Sequence, residues 1–399
     1  MSENVAVIGV GQTGFRSRWD SMTYVELAQV AAMRALSDAG LTPHDIDAVV
    51  FSMAPTHFMG VPDCDKWAVD FIGAWRKPFM RVHTGGATGG SAFQAAWAHV
   101  ASGQYQRVLV VGADRITETP DAQFILNLIW DPLYEQDFAL NTVTMTALAA
   151  QRYMARYGVT EEQYARVVVR ARRNALNNPN AHLKGNITVD DVMNSPRVSW
   201  PYKLFDICPR SAGAAAVVIS NEDTARELCS RPAFVTGIGA ASNTVFMGDR
   251  CVPIADCDLA EHSEIGIAAR ECFEQAGITA PDKEIQVLEL YDPFSSFQFP
   301  ELESMGFCPR GHAAHLSDEG AFEAGGITAI GPSGGTLCTN PIGVTGLVRV
   351  AEAALQVMGR AGAMQVHGVR NALASAAGGS TQFFTCTLLS DEPRQRRAS

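Results

Sequence analysis

Tyr291-Asp292-Pro293-Phe294 follows the apolar run Ile285–Leu290. Ionisable side chains at the carboxyl end of a buried strand face the ligand crevice of an α/β sheet. Tyr291 and Asp292 are therefore candidates for proton transfer or substrate contact, although a Tyr there also serves as an ordinary hydrogen-bonding residue. Cys338-Thr-Asn340-Pro-Ile-Gly343 precedes a long apolar stretch. Asn340 is either an N-cap or an amide donor to a substrate oxygen. Cys338 is either a thiol nucleophile or a small buried hydrophobe. His83-Thr-Gly-Gly86-Ala-Thr-Gly-Gly90-Ser91 sits where a strand meets another apolar helix. Backbone N–H groups point outward at such a turn and suit negative charge; the turn holds no Cys. Ala374-Ser-Ala-Ala-Gly378-Gly379-Ser380 is a further close backbone approach without acid or thiol.

Other patterns carry less. Gly9-Val-Gly11-Gln-Thr-Gly14 matches the glycine spacing of a dinucleotide site. That site needs its helix to begin at the glycines and an acid to end the next strand. Here Phe15–Asp20 intervenes and Ala48–Phe51 has no acid after it, so a glycine-rich turn is the better reading. The nine cysteines are scattered singly, with no CxxC and no zinc spacing. Reduced thiols, no metal site and a cytoplasmic setting follow as expectations. Cys386 alternates with Phe384 and Leu388 as in a strand core, and Trp67, Trp75 and Trp130 suit an interface, a ligand pocket or a core.

The elements that position these residues alternate strand and helix. Strands are expected at Val5–Gly9, Ala48–Phe51 and Val108–Gly112, with helices at Tyr24–Ala39 and Ser91–Ser102. The plan recurs with strands at Phe234–Gly239, Ile285–Tyr291, Ile327–Ile330 and Phe383–Leu389 and helices at Ser263–Ala276 and Gly343–Met358. Each half sets a glycine-rich turn before its most apolar helix. Two fused α/β halves are implied, at residues 1–116 with 207–225 and at 230–390. Residues 117–206 read as an inserted loop domain, because the strand Ala214–Ser220 resumes only afterwards, and 391–399 as a tail. Its expected helix Glu161–Asn177 carries Arg166, Arg170, Arg172 and Arg173, either a solvated face or a phosphate clamp.

The formal charge of −11 and the 18% charged, 47% hydrophobic composition describe a globular chain without a basic face for nucleic acid. No apolar run reaches the roughly 18–20 residues of a membrane span.

Taken together, Val108–Arg115, Cys208-Pro-Arg-Ser-Ala-Gly-Ala-Ala-Ala216, Tyr291–Phe294, Gly334–Gly343 and Gly378-Gly379 resemble the thiolase superfamily. The nearest branch is that of the sterol-carrier-protein-type thiolases and bacterial lipid-transfer-protein relatives. The resemblance implies a five-layered αβαβα fold of two similar halves, dimerisation and CoA thioester substrates. It also marks departures. The family's nucleophilic Cys falls at Gly86, the His of its HDxF motif at Tyr291 and the His of its GHPxG motif at Asn340, while its second Cys is replaced within Ser375–Ala377. A covalent acyl transfer then has no obvious carrier.

Stabilising a thioester enolate needs hydrogen-bond donors and no thiol. The pattern resembles the steroid side-chain aldolases, thiolase relatives in which Tyr replaces a catalytic His. A retro-aldol carbon–carbon lyase acting on a β-hydroxyacyl-CoA is the implied function. Tyr291 would be the acid/base, its pKa depressed by neighbours or its proton moving in concert with bond cleavage, and His83 a second candidate base. Asn340 and a backbone N–H near Gly378 would form the oxyanion hole, with Gly86, Asp292 and Gly379 at the substrate. CoA enters as part of the substrate, with no cofactor held permanently. A homodimer joined by a small OB-fold, zinc-ribbon partner into a heterotetramer is implied as well. The alternatives are an acyltransferase using another thiol such as Cys338, and a non-catalytic CoA-binding subunit.

Overall fold

Two copies of one strand–helix plan stand side by side in the computed structural model, which describes residues 3–138, 140–250 and 258–394. In the first, β1 (Val5–Gln12) leads to α1 (Tyr24–Asp38), β2 (Ala48–Ser52), β3 (Phe79–Val82), α2 (Thr88–Ala101) and β4 (Arg107–Arg115). The chain between β4 and the closing strand β5 (Ala212–Asn221) carries helices α3 (Thr142–Tyr157) and α4 (Glu161–Asn174). In the second copy, β6 (Ala233–Ser242) is followed by α5 (Ser263–Ala276), β7 (Val287–Glu289), α6 (Gln298–Ser304) and β8 (Ala329–Ile330). Helix α7 (Thr345–Met358) and strands β9 (Asn371–Gly378) and β10 (Phe383–Ser390) complete it.

The strands run in the order β8-β7-β9-β10-β6-β1-β5-β4-β2-β3. Read outward from the middle, both halves give the same sequence of roles and the same mixture of parallel and antiparallel pairs. Among the described residues, the strands of the two halves pair at Ala6↔Phe234 and Val7↔Ala233. Helix α1 covers one face of the first half-sheet, with Ala31 and Ala35 against Ile8 and Val49. Helices α2 and α7 lie between the half-sheets, where Phe93 and Leu347 share a core with Val110 and Ala372. Helix α5 covers the far face of the second, with Ala269 and Cys272 against Leu288 and Leu388. This is the five-layered αβαβα arrangement. Each fully buried Leu, Val or Phe contributes about 1.5–3 kcal/mol. The middle layer, where α7 is buried almost all round, is therefore a main source of cohesion.

Glycines bring the two inner helices together at their starts. A Cβ on Gly89 would lie 2.3 Å from Leu347 N, and one on Gly346 would lie 2.6 Å from Gly90 N. Backbone thus meets backbone, and the two loops that enter these helices come to the same end of the molecule. Gly9 and Gly11 do similar work in β1: a Cβ there would lie 2.3 Å from Ala35 O and 2.2 Å from Ala31 O of α1. They belong to a strand pressed on a helix, so neither a turn nor a phosphate loop exists there.

Several expected bounds shift for physical reasons. The strand expected over Ile285–Tyr291 pairs only at Val287–Glu289. Beyond it the chain leaves the sheet, and Leu290 O accepts from the Thr336 hydroxyl. Strand β9 has no β-branched residue, so its sequence hides it. Its small side chains are what allow α7 and the turn before α2 to approach. Helix α4 shows its arginines committed internally: Arg166 to Asp318 at 2.6 Å, Arg173 to Glu323, and Arg170 buried against Gln298 and Ser317. Arg166 and Arg173 thus stand on the exposed side of α4 in surface ion pairs, as a solvated face does, while Arg170 is buried.

Candidate active site

A cavity of about 200 Å³ opens where the inner helices begin. Gly86, Tyr291, Asn340, Gly378 and Gly379 line it, so five of the seven expected site residues meet in one place. Each arrives from a different loop: Gly86 from the turn entering α2, Tyr291 from the end of β7, Asn340 from the loop entering α7, and the glycine pair from the end of β9. Leu126, Ile129, Val143 and Met145, from the segment between β4 and β5, form an apolar wall, and among the described residues Arg210 is the one charged member of the lining. Arg210 is exposed and donates to Gln123 Oε1 at 3.2 Å.

The turn at Gly86 is held by its neighbours. Thr88 Oγ1 accepts from Thr84 N–H at 2.9 Å and donates to Gly85 O at 2.6 Å. A Cβ on Gly86 would lie 2.5 Å from Ala377 O and 2.6 Å from Tyr291 Oη. The tyrosine hydroxyl thus occupies the room in which any side chain at position 86 would start. Gly378 closes the same corner, since its own Cβ would lie 2.6 Å from Gly86 N.

Tyr291 is fixed from its backbone, whose N–H donates to Ser375 Oγ at 2.9 Å. Its side chain is buried, 6% exposed, and among the described residues its hydroxyl has no hydrogen-bond partner. Burial pushes the phenol well above its ordinary value, and the nearby Cys208 and Asp114 add to the rise. This is the reverse of the depression a free base needs.

Asn340 is oriented at both ends of its amide. Oδ1 accepts from the Thr345 hydroxyl at 2.7 Å, and Nδ2 donates to Cys208 Sγ at 3.0 Å. Its backbone N–H donates to Ser211 Oγ at 3.0 Å. The amide therefore has a fixed donor edge beside the cavity and is no N-cap of α7, whose N-cap is Val344.

Two expected site residues lie elsewhere. His83 follows the end of β3, is exposed and does not line the cavity. The turn presents Gly85 and Gly86 there instead. Asp292 is buried behind the cavity wall, where Oδ1 accepts from Thr336 N–H at 3.0 Å and Oδ2 from Gln298 Nε2 at 2.5 Å. Burial raises it to about 6. It ties the loop after β7 to α6 and to the turn after β8, and it offers nothing to a ligand.

Cys338 is fully buried and outside the lining, with its thiol pushed by burial to about 12. The thiol in the cavity is that of Cys208, which the sequence marks only as the head of the Cys208–Ala216 stretch and not as a site residue. No spacing connects it with Tyr291 or Asn340. The one signal was a thiol just ahead of the continuous apolar strand β5. Trp130 is buried, whereas Trp67 and Trp75 are exposed.

Residues 5–195 match the family model described as the thiolase N-terminal domain, and residues 253–391 match the thiolase C-terminal domain-like model. Acetyl-CoA acetyltransferase of Methanothermobacter thermautotrophicus is 33% identical over 379 residues, 94% of this chain and 97% of that protein. The 17-hydroxy-3-oxo-4-pregnene-20-carboxyl-CoA lyase of Mycobacterium tuberculosis is 30% identical over 397 residues, 95% of this chain and 97% of that protein. Among solved structures, the Ltp2-ChsH2(DUF35) aldolase superposes with a TM-score of 0.82 at 27% identity, covering 99% of each chain. With two half-sheets, a shared inner helix layer and both family models matched in order, the chain belongs to the thiolase family.

Proposed function

We propose that this protein is a carbon–carbon lyase that cleaves a β-hydroxyacyl-CoA by a retro-aldol reaction, releasing a ketone or aldehyde and a shorter acyl-CoA. The observation that carries the reading is the Tyr291 hydroxyl lodged against Gly86, where a nucleophilic thiol would have to stand. The site keeps donors for a thioester oxygen and gives up the sulfur at that turn. In the reaction, Tyr291 Oη takes the β-hydroxyl proton as it hands its own proton on towards Cα, while the hydroxyl oxygen's electron pair closes the new carbonyl. The Cα–Cβ pair moves onto the thioester as an enolate. Asn340 Nδ2 and a backbone N–H of the Gly378–Gly379 turn hold its oxygen until Cα is protonated. Donors fixed before the charge develops are worth about 10²–10³ in kcat apiece.

A steroid or bile-acid side chain is the proposed acyl group. The apolar wall supports it, as does the relative named for a hydroxylated pregnene carboxyl-CoA. Arg210 at the mouth would meet the phosphates of the carrier. A second copy of the chain and a small OB-fold, zinc-ribbon partner are proposed to complete the assembly. Strand β3 ends the sheet with Met80 exposed, and Leu133, Tyr134 and Phe138 are 81%, 68% and 66% exposed on the segment after β4. Apolar surface of this kind marks interaction sites. The Ltp2-ChsH2(DUF35) aldolase is itself named as a pairing of two components.

Acyl transfer is the second reading, favoured by the Cys208 thiol in the cavity and the acetyltransferase relative. Burial pushes that thiol up to about 12, which leaves little thiolate to attack a thioester. Product mass spectrometry with a panel of steroid β-hydroxyacyl-CoA thioesters, with and without a co-expressed partner, separates the two. The lyase gives ketone or aldehyde plus short acyl-CoA, and Tyr291→Phe lowers that rate at least about 100-fold. A covalent acyl adduct on Cys208, or a parental rate in Tyr291→Phe, overturns the lyase reading.

A further inference from the structure

We infer that Cys208 is a further catalytic residue of the proposed reaction, the acid that delivers the proton to Cα of the thioester enolate. The inference rests on the lyase reading above and names the group that completes it. An enolate carries its charge on two atoms, the oxygen and Cα, which are two bonds apart. A donor for the oxygen and a proton source for Cα must therefore stand side by side. Asn340 Nδ2 and Cys208 Sγ do, at 3.0 Å, and both line the cavity. One amide hydrogen is directed at the sulfur, which leaves the second for the thioester oxygen. Tyr291 supplies an independent mark that a ligand belongs there. Its side chain is more than nine-tenths buried and lines the same cavity, yet among the described residues its hydroxyl has no partner.

The chemistry of the thiol suits an acid better than a nucleophile. Burial keeps it neutral at physiological pH, so the proton is present when the enolate forms. An enolate is a far stronger base than a thiolate, so the transfer runs downhill. The S–H bond breaks, its electron pair stays on sulfur, and the enolate pair forms the Cα–H bond. Tyr291 passes its proton to sulfur, directly or through one water, as it takes the β-hydroxyl proton. Asn340 N–H meets negative charge that collects on sulfur meanwhile. Overall the hydroxyl proton ends on Cα, and Tyr291 and Cys208 return to their starting states. No oxidant, reductant or outside proton is consumed. The relay also accounts for a phenol that burial holds neutral, because neither group has to rest as an anion.

The test is solvent exchange, which needs no β-hydroxyl substrate. The full-length chain is incubated with acetyl-CoA and propionyl-CoA in D₂O at about pD 9, where the small thiolate fraction of Cys208 takes the Cα proton and returns a deuteron, and deuterium entry at Cα is followed by mass spectrometry. The parental protein is expected to exchange Cα protons, and Cys208→Ala to lose at least about 100-fold of that rate with an unchanged unfolding midpoint. Cys208→Ser keeps a partner for Asn340 but is a weaker acid; it should fall between the two, and it carries the test if the Ala variant does not fold. Parental exchange rates in the variants, or no exchange by the parental protein with either thioester, overturn the inference. Failure of the lyase reading alone looks different: β-hydroxyacyl-CoA stays intact while Cys208-dependent exchange persists.

Discussion

At the scale of single residues, Gly86 and Tyr291 form one unit. A methyl group at position 86 would begin 2.6 Å from the tyrosine oxygen and 2.5 Å from Ala377 O, which belongs to the backbone and cannot swing aside. The tyrosine must move, and the backbone of the two segments must part as well. Gly86→Ala is therefore expected to lower cleavage by an order of magnitude or more, through a displaced hydroxyl, and to cost about 1–3 kcal/mol of stability through the carbonyl clash. Steady-state kinetics beside a thermal melt check this. A loss of stability with kcat intact would show that the glycine serves the turn alone. The same geometry says that Gly86→Cys by itself does not create an acyltransferase, because the sulfur has no room until Tyr291 is also replaced. Tyr291, Asn340 and Gly86 were legible in the sequence because each sits in a loop that a buried strand or helix brackets. Cys208 was not, because its partner Asn340 lies 132 residues away and only folding brings them to 3.0 Å.

At the scale of elements, the site depends on how closely α2 and α7 start. Their contact is backbone on backbone at Gly89, Gly90 and Gly346. Gly346→Ala would put a Cβ 2.6 Å from Gly90 N and 2.8 Å from the Ala376 Cβ, forcing the helices apart. Overpacking of this kind costs about 1–3 kcal/mol. Chemical denaturation should show a loss of that size, and the Gly86 turn and the Asn340 loop should separate with it, so activity falls further than stability alone predicts. An unchanged denaturation midpoint would mean that the two helices adjust freely. The glycine-rich turns announced these helix starts, and the apolar runs announced β1, β4 and β5. Strand β9 stayed hidden, because Ala372, Ala374, Ala376 and Ala377 carry no β-branched signal and earn their strand only from neighbours on both sides. The α4 arginines were left open between a solvated face and a clamp for a related reason: the acidic partners Asp318 and Glu323 of Arg166 and Arg173 come from a distant part of the chain.

At the scale of the whole molecule, a buried polar network ties the two halves and the segment between them. Arg349 of α7 meets Glu289 of β7 at 2.6 Å, with both side chains almost fully buried. One turn along α7, Glu352 Oε1 accepts from Gln12 Nε2 of β1 at 3.0 Å and from Asn178 Nδ2 at 3.4 Å. Burial first, and then the Glu289 charge, raise Glu352 to about 7, against the pull of Arg349. In the unfolded chain the same carboxyl titrates near about 4.3. Its folded pKa is the higher of the two, so the stability it contributes is complete below about 4.3 and is lost as pH rises through about 7. The difference amounts to on the order of 3 kcal/mol between those limits. Glu352→Gln keeps the shape and the accepting oxygen without the ionisation. The variant should match the parental protein near pH 4 and exceed it above pH 7, as read from denaturant unfolding across that range. Parallel curves at every pH would mean that Glu352 titrates alike in the folded and the unfolded chain and that the bridge between the halves is indifferent to protons.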